Sequence, residues 1–219
     1  MSLLVKDKFK TLVKLLSEPK VFYALISFRS FGYLFETGWF ESFKSGETVD
    51  ADLNPIPWFT YSAMEFLKER LKNKLSILEF GSGNSTLFFA ERVKKVISFE
   101  HSKDWHQKIL KKIPTNVELT ITSSLSAKDY LKPLVEELRF DVIIVDGLFR
   151  NECITVSLKH LSEIGVIILD DSERDEYNEG IAFLIQNGFR QLKFSGIAPG
   201  IFFRKCTTVF YKDENCLNI

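Results

Sequence analysis

The chain has 219 residues, enough for one domain with an appendage, and 45% of them are hydrophobic, enough for a sizeable core. Its 29 basic and 29 acidic residues cancel, so no net field recruits nucleic acid and none is expected as a partner. Cys153, Cys206 and Cys216 lack metal-ligand spacing and fit reduced thiols in a cytoplasmic protein.

The first segment, Leu3 to Leu16, carries apolar residues at 4, 5, 9, 12, 13, 15 and 16, a helical stripe that Pro19 ends. Its lysines precede neither a long apolar core nor a small-residue cleavage site, so it does not read as a signal peptide. Val21 to Phe28 is apolar, but Arg29 stops it well short of the roughly 20 residues a membrane span needs. Stable membrane insertion is therefore not expected; surface attachment through the first helix is a secondary reading. Residues 21–43 are dense in aromatics, from Phe22 and Tyr23 to Trp39, Phe40 and Phe43, with Gly32 and Gly38 between them. Two short helices are expected there. They form a lid over a ligand cleft, pack as plain core, or provide a homodimer surface. Residues 1–57 are assigned to this cap and 58–219 to the ligand-binding domain.

Residues 45–57 read as a loop, with Gly46, Asp50, Asp52, Asn54, Pro55 and Pro57. Thr60 is expected to cap a helix from Tyr61 to Lys72. The stretch Pro57-Trp58-Phe59-Thr60-Tyr61 precedes a glycine turn and reads as a pocket wall or as a structural staple. Strands are expected at 77–80, 96–100, 117–122, 140–145, 165–169, 191–195 and 207–211. Helices are expected at 85–93, 102–112 with Ser102 as cap, 127–138, 152–162 and 179–187, the last closed by Gly188. This alternation predicts an α/β fold: a Rossmann-like, doubly wound sheet, mostly parallel, with helices on both faces. The last two strands, joined without a helix, predict an antiparallel hairpin at one edge.

The chain is organised around Ile77-Leu78-Glu79-Phe80-Gly81-Ser82-Gly83-Asn84-Ser85-Thr86 and Val96-Ile97-Ser98-Phe99-Glu100. Strand, glycine turn, helix, strand and acid form the layout of a nucleotide-binding βαβ unit. Glycine lets backbone approach a ligand and take up positive φ. Glu100, 19 positions after Gly81, puts a bidentate acceptor where a ribose diol would sit. A dinucleotide fingerprint would place Gly or Ala at position 86, where this chain has Thr86.

Glu79-x-Gly81-x-Gly83-x-Ser85, together with Glu100, resembles motif I and the following acid of the class I S-adenosylmethionine (SAM) methyltransferases. Three later stretches resemble a group of bacterial SAM-dependent methyltransferases: Asp146-Gly147 with Arg150 and Cys153, Leu169-Asp170-Asp171-Ser172-Glu173-Arg174, and Gly200 with Cys206-Thr207-Thr208-Val209-Phe210. Trp39-Phe40, Val49-Asp50-Ala51-Asp52 and the Pro57–Tyr61 stretch fit the same group, so the likeness runs from about residue 30 onward. It implies seven strands in the order 3-2-1-4-5-7-6 and SAM as cofactor. It implies cofactor contacts from Glu79, Gly81, Ser82, Gly83, Asn84, Ser85, Glu100, His101 and Asp146. The implied reaction is methyl transfer, read as transfer to oxygen on a small-molecule or sugar-like acceptor.

Four of the strands end on acids: Glu79, Glu100, Asp146 and Asp170-Asp171. In such sheets the carboxyl ends of the strands carry the site. Asp146, Asp170 and His101 are the candidate catalytic residues. Asp146, Asp170 and Asp171 also resemble the magnesium ligands of catechol-type O-methyltransferases, which have Asp-Asn where this chain has Asp170-Asp171. That likeness implies Mg²⁺. The family's lysine three residues after the first Asp is replaced by Phe149. Arg150, Arg174, Trp58 and Tyr61 are candidate acceptor contacts, the arginines as forks for an anion or as partners of nearby acids. Two other readings remain: an aminopropyltransferase using decarboxylated SAM, and a non-catalytic binding or assembly module on the same fold.

Overall fold

The computed structural model describes residues 5–219. Leu3 and Leu4 of the expected first stripe lie outside them. The chain opens with α1 (Val5–Ser17), α2 (Pro19–Ser27), α3 (Tyr33–Glu36) and α4 (Trp39–Ser45). Pro19 does end the first helix, and it starts the second from its first turn, where its missing N–H costs nothing. No described residue from 7 to 37 is buried. From Gly38 onward the chain packs on the main domain: Trp39 and Ile56 enter the core, and Trp39 Nε1 donates to Ile201 O at 2.9 Å.

Then follow α5 (Tyr61–Arg70), β1 (Ser76–Phe80), α6 (Asn84–Ala90), β2 (Lys95–Glu100), α7 (Lys103–Leu110) and β3 (Val117–Ile121). After them come α8 (Ala127–Leu131), β4 (Phe140–Val145), α9 (Arg150–His160), β5 (Leu161–Leu169), α10 (Asn178–Gln186), β6 (Arg190–Gly196) and β7 (Lys205–Tyr211). The sheet order is β3-β2-β1-β4-β5-β7-β6, as the resemblance implies. The first five strands pair in parallel, and β7 runs antiparallel to both β5 and β6. The order reverses between β1 and β4, so their carboxyl ends open the crevice in which α/β sheets bind ligands.

Alternate strand residues feed two cores, one on each face of the sheet. Ile77, Val96, Val142, Ile144, Ile168 and Val209 face α5, α6 and Trp39. Leu78, Ile97, Ile143, Val145, Ile167 and Phe210 face Tyr130, Ile154 and Leu184 of α8, α9 and α10. Both faces are covered, which is why the central strands read as continuous apolar runs.

Residues 21–43, expected to hold two short helices, are spanned by three, α2, α3 and α4, and three further elements depart from expectation. The helix expected to reach residue 138 stops at Leu131; Lys132 keeps helical backbone, but Pro133 has no N–H to donate to the carbonyl one turn back, so the ladder ends there. β5 starts at Leu161, four residues early, through an irregular stretch in which Leu161 pairs with Phe140 and Val166 with Val142. Thr60 stands at the cap position of α5, but its hydroxyl makes no cap bond; it donates to Phe194 O at 3.1 Å, while its N–H donates to Thr207 Oγ1 at 3.1 Å. Thr60 therefore ties α5 to the antiparallel edge. Ser102 does cap α7, accepting from Trp105 N.

Candidate active site

At the end of β1 the chain turns through Gly81, whose φ of +105° lies in the region that favours glycine. A Cβ there would stand 3.2 Å from Gly147 N. From the other side, a Cβ on Gly147 would meet Tyr130 Oη at 2.3 Å and Gly81 N at 2.9 Å. The turns after β1 and β4 thus touch backbone to backbone. Gly83 differs from expectation: its φ of 166° is ordinary extended backbone.

Glu79 is buried and accepts three hydroxyl bonds, from Ser85 at 2.5 Å, Thr86 at 2.6 Å and Ser98 at 2.6 Å. Burial pushes its carboxyl up to about 7 in spite of those three donors. Glu79, an expected cofactor contact, lines neither cavity described below; it ties the glycine turn to β2 from underneath. Ser98, which the sequence reading passed over, supplies one of the three bonds.

Glu100 closes β2 at the crevice. Its Oε1 accepts from the N–H groups of His101 and Ser102, and its Oε2 accepts from Ser82 Oγ at 2.8 Å. Beside it lies an open cavity of about 370 Å³, lined by Gly81, Ser82, Glu100, His101, Ser102, Trp105, Asp146 and Gly147. A second cavity of about 130 Å³ lies on the other side of the turn, lined by Glu47, Thr48, Trp58, Ser82–Ser85, Trp105 and Asp146 among others. Trp105 borders both and donates from Nε1 to Ser82 O at 2.7 Å. Ser82 and Asp146 also border both cavities.

The second cavity is roofed by the loop after α4. Asn84 Nδ2 donates to Thr48 O at 2.8 Å, and Lys108 Nζ, which stands 4.4 Å over the Trp105 ring, pairs with Glu47. Trp58 Nε1 donates to Pro199 O, fixing the indole against the 196–204 loop. Of the expected Pro57–Tyr61 wall, Trp58 faces this cavity; Phe59, Thr60 and Tyr61 are buried in the packing behind it. The acceptor contact expected of Tyr61 is corrected: its ring packs edge-on against Tyr33 and faces a different hollow, beside Asp50 and Glu65.

Asp146, Asp170 and Asp171 converge as expected, with carboxylate oxygens within 4.8 Å of one another. A residue absent from the sequence reading stands among them. Lys205 Nζ is 2.6 Å from Asp170 Oδ2 and 2.8 Å from Asp171 Oδ1. Burial alone would lower the lysine's pKa, but the three carboxylates outweigh it and the pKa rises. Arg150 adds a second cation, 3.0 Å from Asp146 Oδ1 and 3.3 Å from Asp171 Oδ2, and donates to the carbonyls of Asp146, Gly147 and Asp170. Arg174 reaches Asp171 Oδ2 at 2.7 Å. Asp171 is held below its ordinary value because Lys205, Arg150 and Arg174 together overcome its burial.

The implied Mg²⁺ does not fit this arrangement. Magnesium demands octahedral oxygen ligands at about 2.1 Å, and the side-chain cations already fill the space between the carboxylates. Asp170 is fully buried, accepts from Thr207 Oγ1, pairs with Lys205 and lines neither cavity. Arg150 is turned inward onto five oxygens. The Arg174 side chain is 51% exposed and tied to Asp171. His101 lies beside Glu100, Nδ1 3.3 Å from Oε1, in the larger cavity and away from Trp58.

Strand order, glycine turn and terminal acid together define a class: this is the fold of the class I SAM-dependent methyltransferases. No protein-family model and no curated sequence matches the chain. Among solved structures it is similar to a methyltransferase from Pyrococcus furiosus, at 21% identity over 69% of this chain and 81% of that one, TM-score 0.52. It is also similar to a precorrin-6y C5,15-methyltransferase from Geobacter metallireducens GS-15, at 16% identity over 68% and 86%, TM-score 0.53. An rRNA methylase from Streptococcus thermophilus gives 20% identity over 69% and 95%, TM-score 0.51. These identities establish shared architecture, and the named acceptors, a precorrin and an rRNA, differ in kind.

Proposed function

We propose that this chain is a SAM-dependent methyltransferase acting on an oxygen of a small-molecule acceptor. The observation that carries the reading is Glu100: a carboxylate at the end of β2, held by two backbone N–H groups, beside a turn stripped of Cβ atoms and facing an open cavity. That is a seat for a ribose diol next to backbone that can lie against a ligand.

In this reading the cavity along Glu100, His101 and Trp105 takes the adenosine end. Ser82–Ser85 carry the methionine end toward Trp58. When bound, SAM supplies a methyl carbon already activated by its sulfonium. The chain's own task is alignment and a proton acceptor; alignment can contribute on the order of 7 kcal/mol or more. The acceptor enters on the Trp58 side, under the Glu47–Thr48 loop, the part of the cap assigned to residues 1–57 that borders the crevice. Asp146, which borders both cavities, is the assigned base. Its partial burial raises its pKa against the opposing pull of Arg150 and Lys205, and a raised pKa makes a carboxylate a better proton acceptor. Lys205 and Arg150 keep the acid cluster ordered in place of a metal, so we assign no metal step.

Calorimetric titration with S-adenosylhomocysteine tests the cofactor half: saturable binding is expected, and no binding at millimolar ligand overturns it. Incubation of the protein and methyl-labelled SAM with pooled small metabolites tests the acceptor half. Label in an alkali-stable methyl ether supports it, and label only on nitrogen or carbon overturns it. Activity unchanged by EDTA is expected, and strict dependence on added Mg²⁺ would refute the metal-free cluster.

A further inference from the structure

The first two helices are left without a partner by the rest of the fold. On α1, Phe9, Leu12, Val13 and Leu16 recur at i, i+3, i+4 and i+7, and each is 49–67% exposed. At 100° per residue they fill one arc. Lys8 and Lys10 fall at its two edges, and Asp7 and Thr11 at the opposite pole. Apart from Lys20 and Ser27, α2 consists of apolar and aromatic residues, yet none of its residues is buried. An apolar helix of this kind is ordinarily covered. Neither helix is long and apolar enough to cross a bilayer.

We infer that α1 and α2 lie in the plane of an anionic lipid surface, apolar arc inward and lysines at the headgroups. Charge decides between this occupant and a second copy of the chain. Residues 5–35 hold six basic and two acidic residues within a chain whose charges otherwise balance. Self-association through the segment would press two positive surfaces together. A negatively charged bilayer instead matches both features at once: apolar depth for the arc and phosphate for the lysines that border it. Lysine stems flanking an apolar arc can extend to the headgroups while the arc sinks below them. Pro19 breaks the segment into two pieces, which lets both helices lie flat.

The test is co-sedimentation of the full chain with vesicles of phosphatidylcholine, with and without phosphatidylglycerol. Binding is expected only when the anionic lipid is present, and it weakens when salt rises from about 0.1 M to about 0.5 M, since surface attraction is screened beyond a few ångströms there. Leu12→Ser with Leu16→Ser abolishes binding, while circular dichroism and S-adenosylhomocysteine affinity stay unchanged because the arc touches no part of the crevice. A milder variant, Lys8→Gln with Lys10→Gln, weakens binding without removing an apolar contact. Three results overturn the inference: no vesicle binding, binding indifferent to lipid charge, or binding that survives both variants. Sedimentation velocity without lipid distinguishes the other occupant: a dimer dissolved by the leucine variant, in a chain that ignores vesicles, assigns the surface to a second copy.

Discussion

Lys205 and Asp170 meet across the antiparallel pair β5–β7, with Nζ 2.6 Å from Oδ2 and both side chains closed off from solvent. An ammonium of the protein's own thus stands where three aspartates would otherwise invite a divalent cation. Removing it leaves a buried carboxylate without its countercharge, which costs about 3–5 kcal/mol. Lys205→Met is therefore expected to lower the urea midpoint of unfolding severely, and Lys205→Met with Asp170→Asn to recover part of that loss. Equal stability of Lys205→Met and the parent would show that the pair contributes nothing.

Glu79 makes the stability depend on pH in a defined direction. Its folded pKa, about 7, lies above the ordinary 4.5, so the folded state holds the proton more tightly than the unfolded one. Its contribution is fully present below about pH 4.5 and is lost as pH rises through about 7, a change of up to about 3 kcal/mol. Glu79→Gln cannot titrate. Unfolding midpoints measured from pH 5 to pH 8 should fall less steeply for this variant than for the parent, and parallel curves would contradict the assignment.

Glu100→Ala removes the proposed ribose acceptor while leaving the strand intact. Hydrogen bonds to a charged group are worth about 1.5–3 kcal/mol each, so S-adenosylhomocysteine should bind roughly 10- to 100-fold more weakly or worse. Calorimetry reads this directly. An unchanged affinity would place the cofactor elsewhere.

Gly147→Ala drives a methyl group into Tyr130 Oη and Gly81 N. Overpacking of this kind costs about 1–3 kcal/mol. Adding Tyr130→Phe deletes the nearer obstacle, so the double variant should regain part of the stability in thermal melts, with the Gly81 contact still opposing full recovery.

Much of this architecture was legible along the chain. The apolar runs at 77–80, 96–100 and 140–145 read as buried parallel strands because each packs on both faces. Gly81 read as a turn because its neighbours left little else for it to be, and Glu100 as a strand-end acid because the strand before it was unmistakable. The helix end near 131 was missed although Pro133 marked it. Other features carried no local signal. Glu79 looked like a ligand because its place in the motif is the same whether its carboxylate reaches a cavity or turns inward to Ser85, Thr86 and Ser98. Tyr61 looked like a pocket residue because it adjoins Trp58, yet the start of α5 turns the two rings to different sides.

By itself, then, the sequence determined the succession of strands and helices, the backbone freedom at the Gly81 turn and the acids that end the strands, all of them consequences of residues close together along the chain. Tertiary structure alone decided which of those acids face a cavity and which are neutralised. Lys205 is 35 positions beyond Asp170, and no periodicity links them. They meet because β7 inserts beside β5 in the reverse direction, which brings the start of one strand to the end of the other. Charge pairing across strands depends on sheet order and register, and these are fixed by the packing of the whole domain.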